Sequence, residues 1–481
     1  MREVRIAAAV FLSASLCATA AQAALVVSKD PTSNVQCMSG TCSATAANAV
    51  LNVAELESQL ASSAVTIQPG ATAGDIVVGA DLKWSSPSAL TLDAYRSIFI
   101  RRPVSDKAAG PLTLTTNDGG TKGTLSFDRS GHITISKIAT PLVINGNTYR
   151  LARSIAQLAN NIAASPNGFH AFANDYDARV DGSYMTVPIE TDFGGTFEGL
   201  GNTISNLSYH GSGDQEVALF KALVSTGTLR DVRLTNIDLW SLQSFFQIMG
   251  GLVAYSEGHI TQCSVTGKLR SDFFMVGGGL VGESYGTVDN SFAGVDVEGA
   301  EDATVGGIIG SGHGTIQNVY ATGDVSAGDD SDVGGLVGYF IGDVLRSSYS
   351  TGKPSGGAHA RIGGSLGENQ AWASNGKVTK TYWDTDTSGT VFGVGGTTTN
   401  VTPGTKGRST TQLQAGLPDG FKPGIWNERA GYKQWPAVSG GDAALGSVTR
   451  LSWPPARGLP FRRALLLRAS ALLWQERPRS P

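Results

Sequence analysis

Gly282-Glu283-Ser284-Tyr285-Gly286 has the spacing of a nucleophile elbow. That motif needs a strand-turn-helix that lifts the serine toward a histidine and an acid. In neighbouring copies of the same segment the serine position is held by Ser256, Gly312 and Phe340, so repetition explains the glycines and leaves the serine incidental. Gly277-x-Gly279-x-x-Gly282 overlaps it and matches a dinucleotide fingerprint, but no helical pattern follows to set a helix N-terminus against a pyrophosphate. The histidines (His132, His170, His210, His259, His313, His359) are scattered, and no His-Glu-x-x-His occurs, so zinc-peptidase chemistry has no footing. Asp175, Asp177 and Asp181, and again Asp329, Asp330 and Asp332, crowd the oxygen ligands calcium prefers. Arg179 and Val333 fall where ligands belong, and solvated acidic turns are the better reading. Asp289, Asp324 and Asp343 are the carboxylates placed for a polysaccharide lyase or glycoside hydrolase, which needs acids and a basic partner on one face, or two carboxylates flanking a sugar bond. No base stands out beside them. The sequence therefore assigns no catalytic, cofactor-binding or metal-ligating residue.

The elements that position these side chains repeat. Gly250-Gly251-Leu252, Gly278-Gly279-Leu280, Gly306-Gly307-Ile308, Gly334-Gly335-Leu336 and Gly363-Gly364-Ser365 start 28, 28, 28 and 29 residues apart. A further glycine follows each of the first four (Gly258, Gly286, Gly314, Gly342), then an aliphatic residue two positions on (Ile260, Val288, Ile316, Val344). Such a period means one unit stacked on copies of itself, each burying an apolar face that it cannot bury alone. Twenty-eight residues suit three strands of ~5 residues with corners, too few for a propeller blade. The predicted fold is all-β: a right-handed parallel β-helix of roughly ten turns, on the order of 50 Å long at ~4.8 Å per turn. Glycine is expected at corners for positive φ or close backbone approach.

Before the repeats, Val65-Thr66-Ile67, Ile76-Val77-Val78, Leu82-Lys83-Trp84, Leu90-Thr91-Leu92, Ile98-Phe99-Ile100, Leu112-Thr113-Leu114 and Leu125-Ser126-Phe127 read as stacked strands. Asn52 and Glu55 form a capping-box pattern opening a helix through Leu56 and Leu60. Leu151, Ile155, Leu158 and Ile162 make one apolar stripe of a second helix, which Ser165-Pro166-Asn167-Gly168 ends. The stretch Val217 to Leu234 is a degenerate copy without the double glycine. Tyr382, Trp383 and the aromatics from Trp426 to Trp435 are expected to close the end of the stack.

Residues 1–23 read as an export signal: Arg2 and Arg5, an apolar run to Leu16, then Ala21-Gln22-Ala23. The run is too short to span a bilayer, so no transmembrane segment is expected in the mature chain. Export permits a local disulfide between Cys37 and Cys42 around Gly40, and leaves Cys263 as a buried free thiol inside a repeat. The organisation is then 24–148, a β-rich part of the β-helix; 149–193, a helix-containing insertion; 194–389, the repeats; 390–445, a capping segment. The final part, 446–481, has the composition of a disordered or out-of-frame tail. Glycine, 62 of 481 residues, is nearly twice the average ~7%. Setting aside two arginines and a glutamate in the signal, and seven arginines and a glutamate in the last 32 residues, leaves 27 basic and 38 acidic residues, or −11. A body this acidic disfavours nucleic acid as partner.

The Gly-Gly-Leu-Val-Gly pattern, clearest at Gly278 to Gly282 and Gly334 to Gly338, resembles the GLUG motif of bacterial surface and secreted proteins. Leu90 to Ile100 and Leu112 to Gly120 are similar to the region before the repeats in filamentous-haemagglutinin-like exoproteins. The resemblance implies a secreted or cell-surface, outer-membrane-associated adhesin that binds a host or bacterial surface glycan or protein. Ala254 and Ser365 depart from the motif, and the long shaft of large adhesins is missing. The same repeats occur in non-catalytic parts of immunoglobulin-A-cleaving peptidases, and a carbohydrate-active enzyme or a passive spacer on this scaffold are the alternatives.

Overall fold

The computed structural model describes residues 23–128, 130–242, 246–371, 376–396, 403–422 and 426. The expected export signal up to residue 22, the tail 446–481 and Trp435 lie outside the described residues. The chain forms an all-β parallel β-helix of about 13 turns, with few helices. No described helix is long and apolar enough to cross a membrane.

The strands divide into two stacks with separate cores. In the first, three parallel ladders rise together: Ala24–Ser28 with Asp75–Val78, Ile98–Ile100 and Leu125–Phe127; Leu82–Trp84 with Val104–Asp106 and Ile133–Ile135; and Val65–Ile67 with Leu90–Asp93, Leu112–Thr115 and Leu142–Ile144. Alternation sets their facing, so Leu90 and Leu92, for example, are buried while Thr91 is not. Helix Val53–Leu60 closes the first turn, burying Val53, Leu56 and Leu60. Its Glu57 Oε1 accepts the Lys83 amide at 2.8 Å, which pairs an edge donor that no strand reaches. Asn52 caps the helix, but its own amide donates to Thr32 Oγ1 (2.9 Å), whose hydroxyl donates to Glu55 (2.6 Å). The capping box is thus bridged through a third residue. Cys37 and Cys42 are joined in a disulfide across the hairpin Val35–Met38/Thr41–Ala44, at the start of this stack.

Parallel stacking stops where Leu142–Ile144 turns at Asn145-Gly146 and pairs antiparallel with Asn147–Ala152. Leu151 belongs to that strand, not to the helix its periodicity predicts, because Ser154 caps the helix at Ile155–Ala164 by accepting the Gln157 amide. Ile155, Leu158 and Ile162 enter the second core. Within 149–193, Phe169–Phe172, Tyr176–Asp177 and Ser183–Tyr184 pair with Thr196–Glu198, Thr203–Ser205 and Ser208–Gly211, so this stretch supplies a turn of the second stack.

In the repeats each double glycine makes a corner between two ladders, Gln247–Gly250 to Arg361–Gly363 and Val253–Ser256 to Leu366–Asn369. Close approach is the reason for it. A Cβ on Gly279 would lie 2.3 Å from the Gly307 carbonyl oxygen of the next turn, and neither glycine has positive φ. Left-handed backbone sits at another corner and is held by Gln262, Asn290, Asn318, Ser347 and Lys380, once per turn. Trp383, 2 % exposed, plugs the last turns against Gly364, Gly393 and Gly407.

Candidate functional site

Ser284 points into the stack. It is 1 % exposed and lies in register with Ser256 on one side and Gly312 on the other. Gly312 is in turn paired with Phe340, whose ring would touch a Cβ there at 3.2 Å. The elbow-like glycines serve the same stacking: a Cβ on Gly282 would meet the Ala254 carbonyl at 2.7 Å, and one on Gly286 the Gly258 carbonyl at 1.9 Å. Strands, not a helix, follow the fingerprint glycines.

The outward residues form rows along the second stack. One row, one residue per turn, reads Tyr255, Glu283, Ser311, Tyr339 and Glu368. Beside it Tyr255 and Tyr285 lie 5.5 Å apart, and Tyr285 stacks on His313 at 4.2 Å with the rings nearly parallel. Tyr285 Oη donates to Glu283 Oε1 (3.0 Å). Burial, then the Glu283 charge, pushes that phenol well above its ordinary value. His313 Nε2 lies 2.9 Å from Ser311 Oγ and 3.3 Å from Glu283 Oε1. Serine and acid thus meet one ring nitrogen, whereas a proton relay needs them on opposite nitrogens. Arg361 closes the row with ion pairs to Asp332 (2.5 Å) and Glu368 (2.7 Å).

The other expected acids stand in separate rows. Asp289 follows the row Thr261–Asp289–Gln317–Arg346, 3.4 Å from His259 and 3.5 Å from Gln317. Asp324 accepts the Lys353 amide at a different corner, and Asp343 precedes strand Val344–Ser350, exposed. The acidic turns are occupied by the chain's own donors. Asp177 holds Arg179 and Asn206, Asp181 takes the Tyr176 and Tyr184 hydroxyls, Asp175 takes the Thr203 amide, and Asp329 the Ala358 amide. No group of three or more His, Cys, Asp or Glu able to hold a metal ion occurs among the described residues.

A second aromatic row, Phe292–Tyr320–Tyr349, stacks at 4.9 and 5.2 Å and continues to Tyr382. Phe421 and Trp426 lie over it, so Trp426 covers a lateral face, while Trp383 fills the end.

Sequence reasoning missed the most heavily charged place in the interior. Glu198, Asp231 and Arg233 are 0 %, 2 % and 4 % exposed, and Arg230 lies between the two acids, 3.0 Å from Glu198 and 3.4 Å from Asp231. The one signal was Arg230-Asp231-Val232-Arg233, a charge run inside the copy without a double glycine.

No family model matches this chain, and no curated protein matches it. Among solved structures, the chain is similar to a "putative immunoglobulin A1 protease" from Bacteroides ovatus, at 20% identity and a TM-score of 0.45, over 60% of this chain and 92% of that one. Likeness at this level bears on neither activity nor ligand.

Proposed function

We propose that the chain is an exported binding protein of the GLUG-repeat, haemagglutinin-like kind, which presents the lateral face of its second stack to a glycan or protein on a cell surface. The observation that supports it is the row Tyr255, Glu283, Tyr339 and Glu368, in register with Ser311, which is buried against His313, on a scaffold whose core is filled by its own side chains. One side chain per turn at ~4.8 Å gives an extended, repetitive contact surface, the form suited to a polymeric or flat partner. Tyr285 stacks on His313, Tyr255 is tilted against Tyr285, and the two tyrosine hydroxyls donate to Glu257 and Glu283, so the surface offered to a partner is mixed aromatic and acidic.

The test is retention of the full secreted chain on arrays of bacterial and host glycans and matrix proteins, scored with release of sugar fragments. Retention that drops at least tenfold in a Tyr255→Ala/Tyr339→Ala double variant, with no fragments, is the expected result. Fragment release would replace the reading with a carbohydrate-active enzyme. Retention on no surface would leave a spacer.

A further inference from the structure

The last turn of the first stack sits on the side of the second, and the seat is built of polar groups. Ile133 donates its amide to the Leu200 carbonyl (3.0 Å), and Ile135 to that of Ala173 (2.8 Å). Asn202 Nδ2 donates to the carbonyls of Ile133 (2.9 Å) and Phe172 (2.8 Å). Two arginines cross the seam. Arg230 donates to the Leu125 carbonyl (3.0 Å), and Arg233 to those of Gly201 (2.7 Å) and Phe127 (2.9 Å). The fit is tight: a Cβ on Gly201 would meet the Gly131 carbonyl at 2.6 Å.

Behind the arginines stand Glu198 and Asp231, whose Oε2 and Oδ2 lie 3.0 and 3.4 Å from the one Arg230 Nε. Both are enclosed and converge on that one nitrogen, with Arg233 acting on Asp231 as well, so two negative charges would face each other in a dry space, which favours a proton on one of them. We propose that the seam between the stacks is a proton-held latch, in which a proton kept on the enclosed Glu198–Asp231 pair keeps Arg230 and Arg233 seated on the Leu125–Phe127 edge, and whose loss in alkaline medium loosens the two stacks from each other.

The other groups facing the pair do not supply this titration. Burial, then the Glu198 charge, pushes the Tyr149 phenol far above its ordinary value, and burial does the same to the Cys263 thiol. Asp128 and Asp175 act on Arg233 from outside the pair. Burial first, then Asp231, pushes Glu198 up to about 8, and burial raises Asp231 as well. The sign follows: the seated latch keeps a proton that the open latch gives up above the ordinary carboxyl value of 4.5. Opening therefore becomes about tenfold more favourable per pH unit from there toward about 8, then levels off.

Hydrogen exchange on the full chain from pH 5.5 to 9, corrected for intrinsic rates, tests this. Peptides over Leu125–Phe127, Ile133–Ile135 and Thr196–Glu198 should open progressively more often as pH rises, while Val281–Ser284 and Ile309–Gly312 stay level. Glu198→Gln, which cannot ionise, should flatten the seam's profile, and Asp231→Asn should do so too. A wild-type seam whose opening is independent of pH, or a Glu198→Gln chain with the wild-type rise, would overturn the latch. Should Glu198→Gln fail to fold, the contrast between seam and reference strands and the Asp231→Asn profile decide it.

Discussion

Replacing Gly286 by alanine separates the two reasons a corner can require glycine. Its backbone is not left-handed, so alanine loses nothing in φ. The added Cβ would instead lie 1.9 Å from the Gly258 carbonyl oxygen and 2.5 Å from that of Glu257. Relief to an ordinary contact moves one turn by more than ~1 Å against its neighbour. The same Gly258 oxygen accepts the Thr287 amide at 2.9 Å, and Ser256 accepts Tyr285 at 2.7 Å. Both bonds lengthen beyond reach if the turn shifts. Each buried backbone acceptor left without its donor costs about 1–3 kcal/mol, and overpacking adds about 1–3, so with two bonds lost the substitution should cost about 3–9 kcal/mol. Gly213, which also lacks left-handed φ and would place its Cβ in open space, is the control. Gly213→Ala should be neutral or stabilise by up to ~1 kcal/mol through the unfolded chain. Urea unfolding followed by circular dichroism reads the total. Because stacked repeats unfold through nearest-neighbour terms, hydrogen exchange in Val253–Ser256 and Val281–Ser284 should carry most of the loss. A Gly286→Ala chain within ~1 kcal/mol of wild type, or Gly213→Ala equally damaging, would refute close approach as the reason for these glycines.

His170 is 1 % exposed, and burial pushes its imidazole below the ordinary 6.5, so the folded chain resists its protonation. Stability from this site is complete above pH 6.5 and falls as pH drops toward the lowered value; His170→Gln should lack that acid-side decline in thermal melts. Trp383→Ala should cost about 3–5 kcal/mol and raise exchange first in Leu366–Asn369 and Lys377–Asp384, the strands beside the plug; uniform destabilisation along both stacks would contradict an end-plug role.

What the sequence makes legible is whatever depends on neighbours one period away. The 28-residue step predicts which residues meet between turns, and Ser256, Ser284, Gly312 and Phe340 do lie in one inward row. Strands such as Leu90–Asp93 show in the chain because alternation alone decides their facing. Where two physical causes give the same residue, the sequence stays silent. Glycine at the double-glycine corners answers a carbonyl from the next turn, whereas the positive-φ corner is left to Asn290 and Asn318. Leu151 fits a helical stripe and still pairs with Ala171, because the Ser154 cap fixes where the helix begins.

Contacts without a period are hidden altogether. Arg230 and Arg233 meet Leu125 and Phe127 across about a hundred residues, between stacks that share no repeat, so no spacing announces them. The row of Glu283, Ser311 and His313 is hidden for a different reason. Its members come from two turns, and only register shows that the serine and the acid approach the same ring nitrogen. That single geometric fact changes the chemistry available. A histidine engaged twice at Nε2 fixes side chains on a surface; one engaged at both nitrogens would pass a proton. This contact holds Glu283 and Ser311 at set heights on two successive turns, as the binding surface proposed above would require.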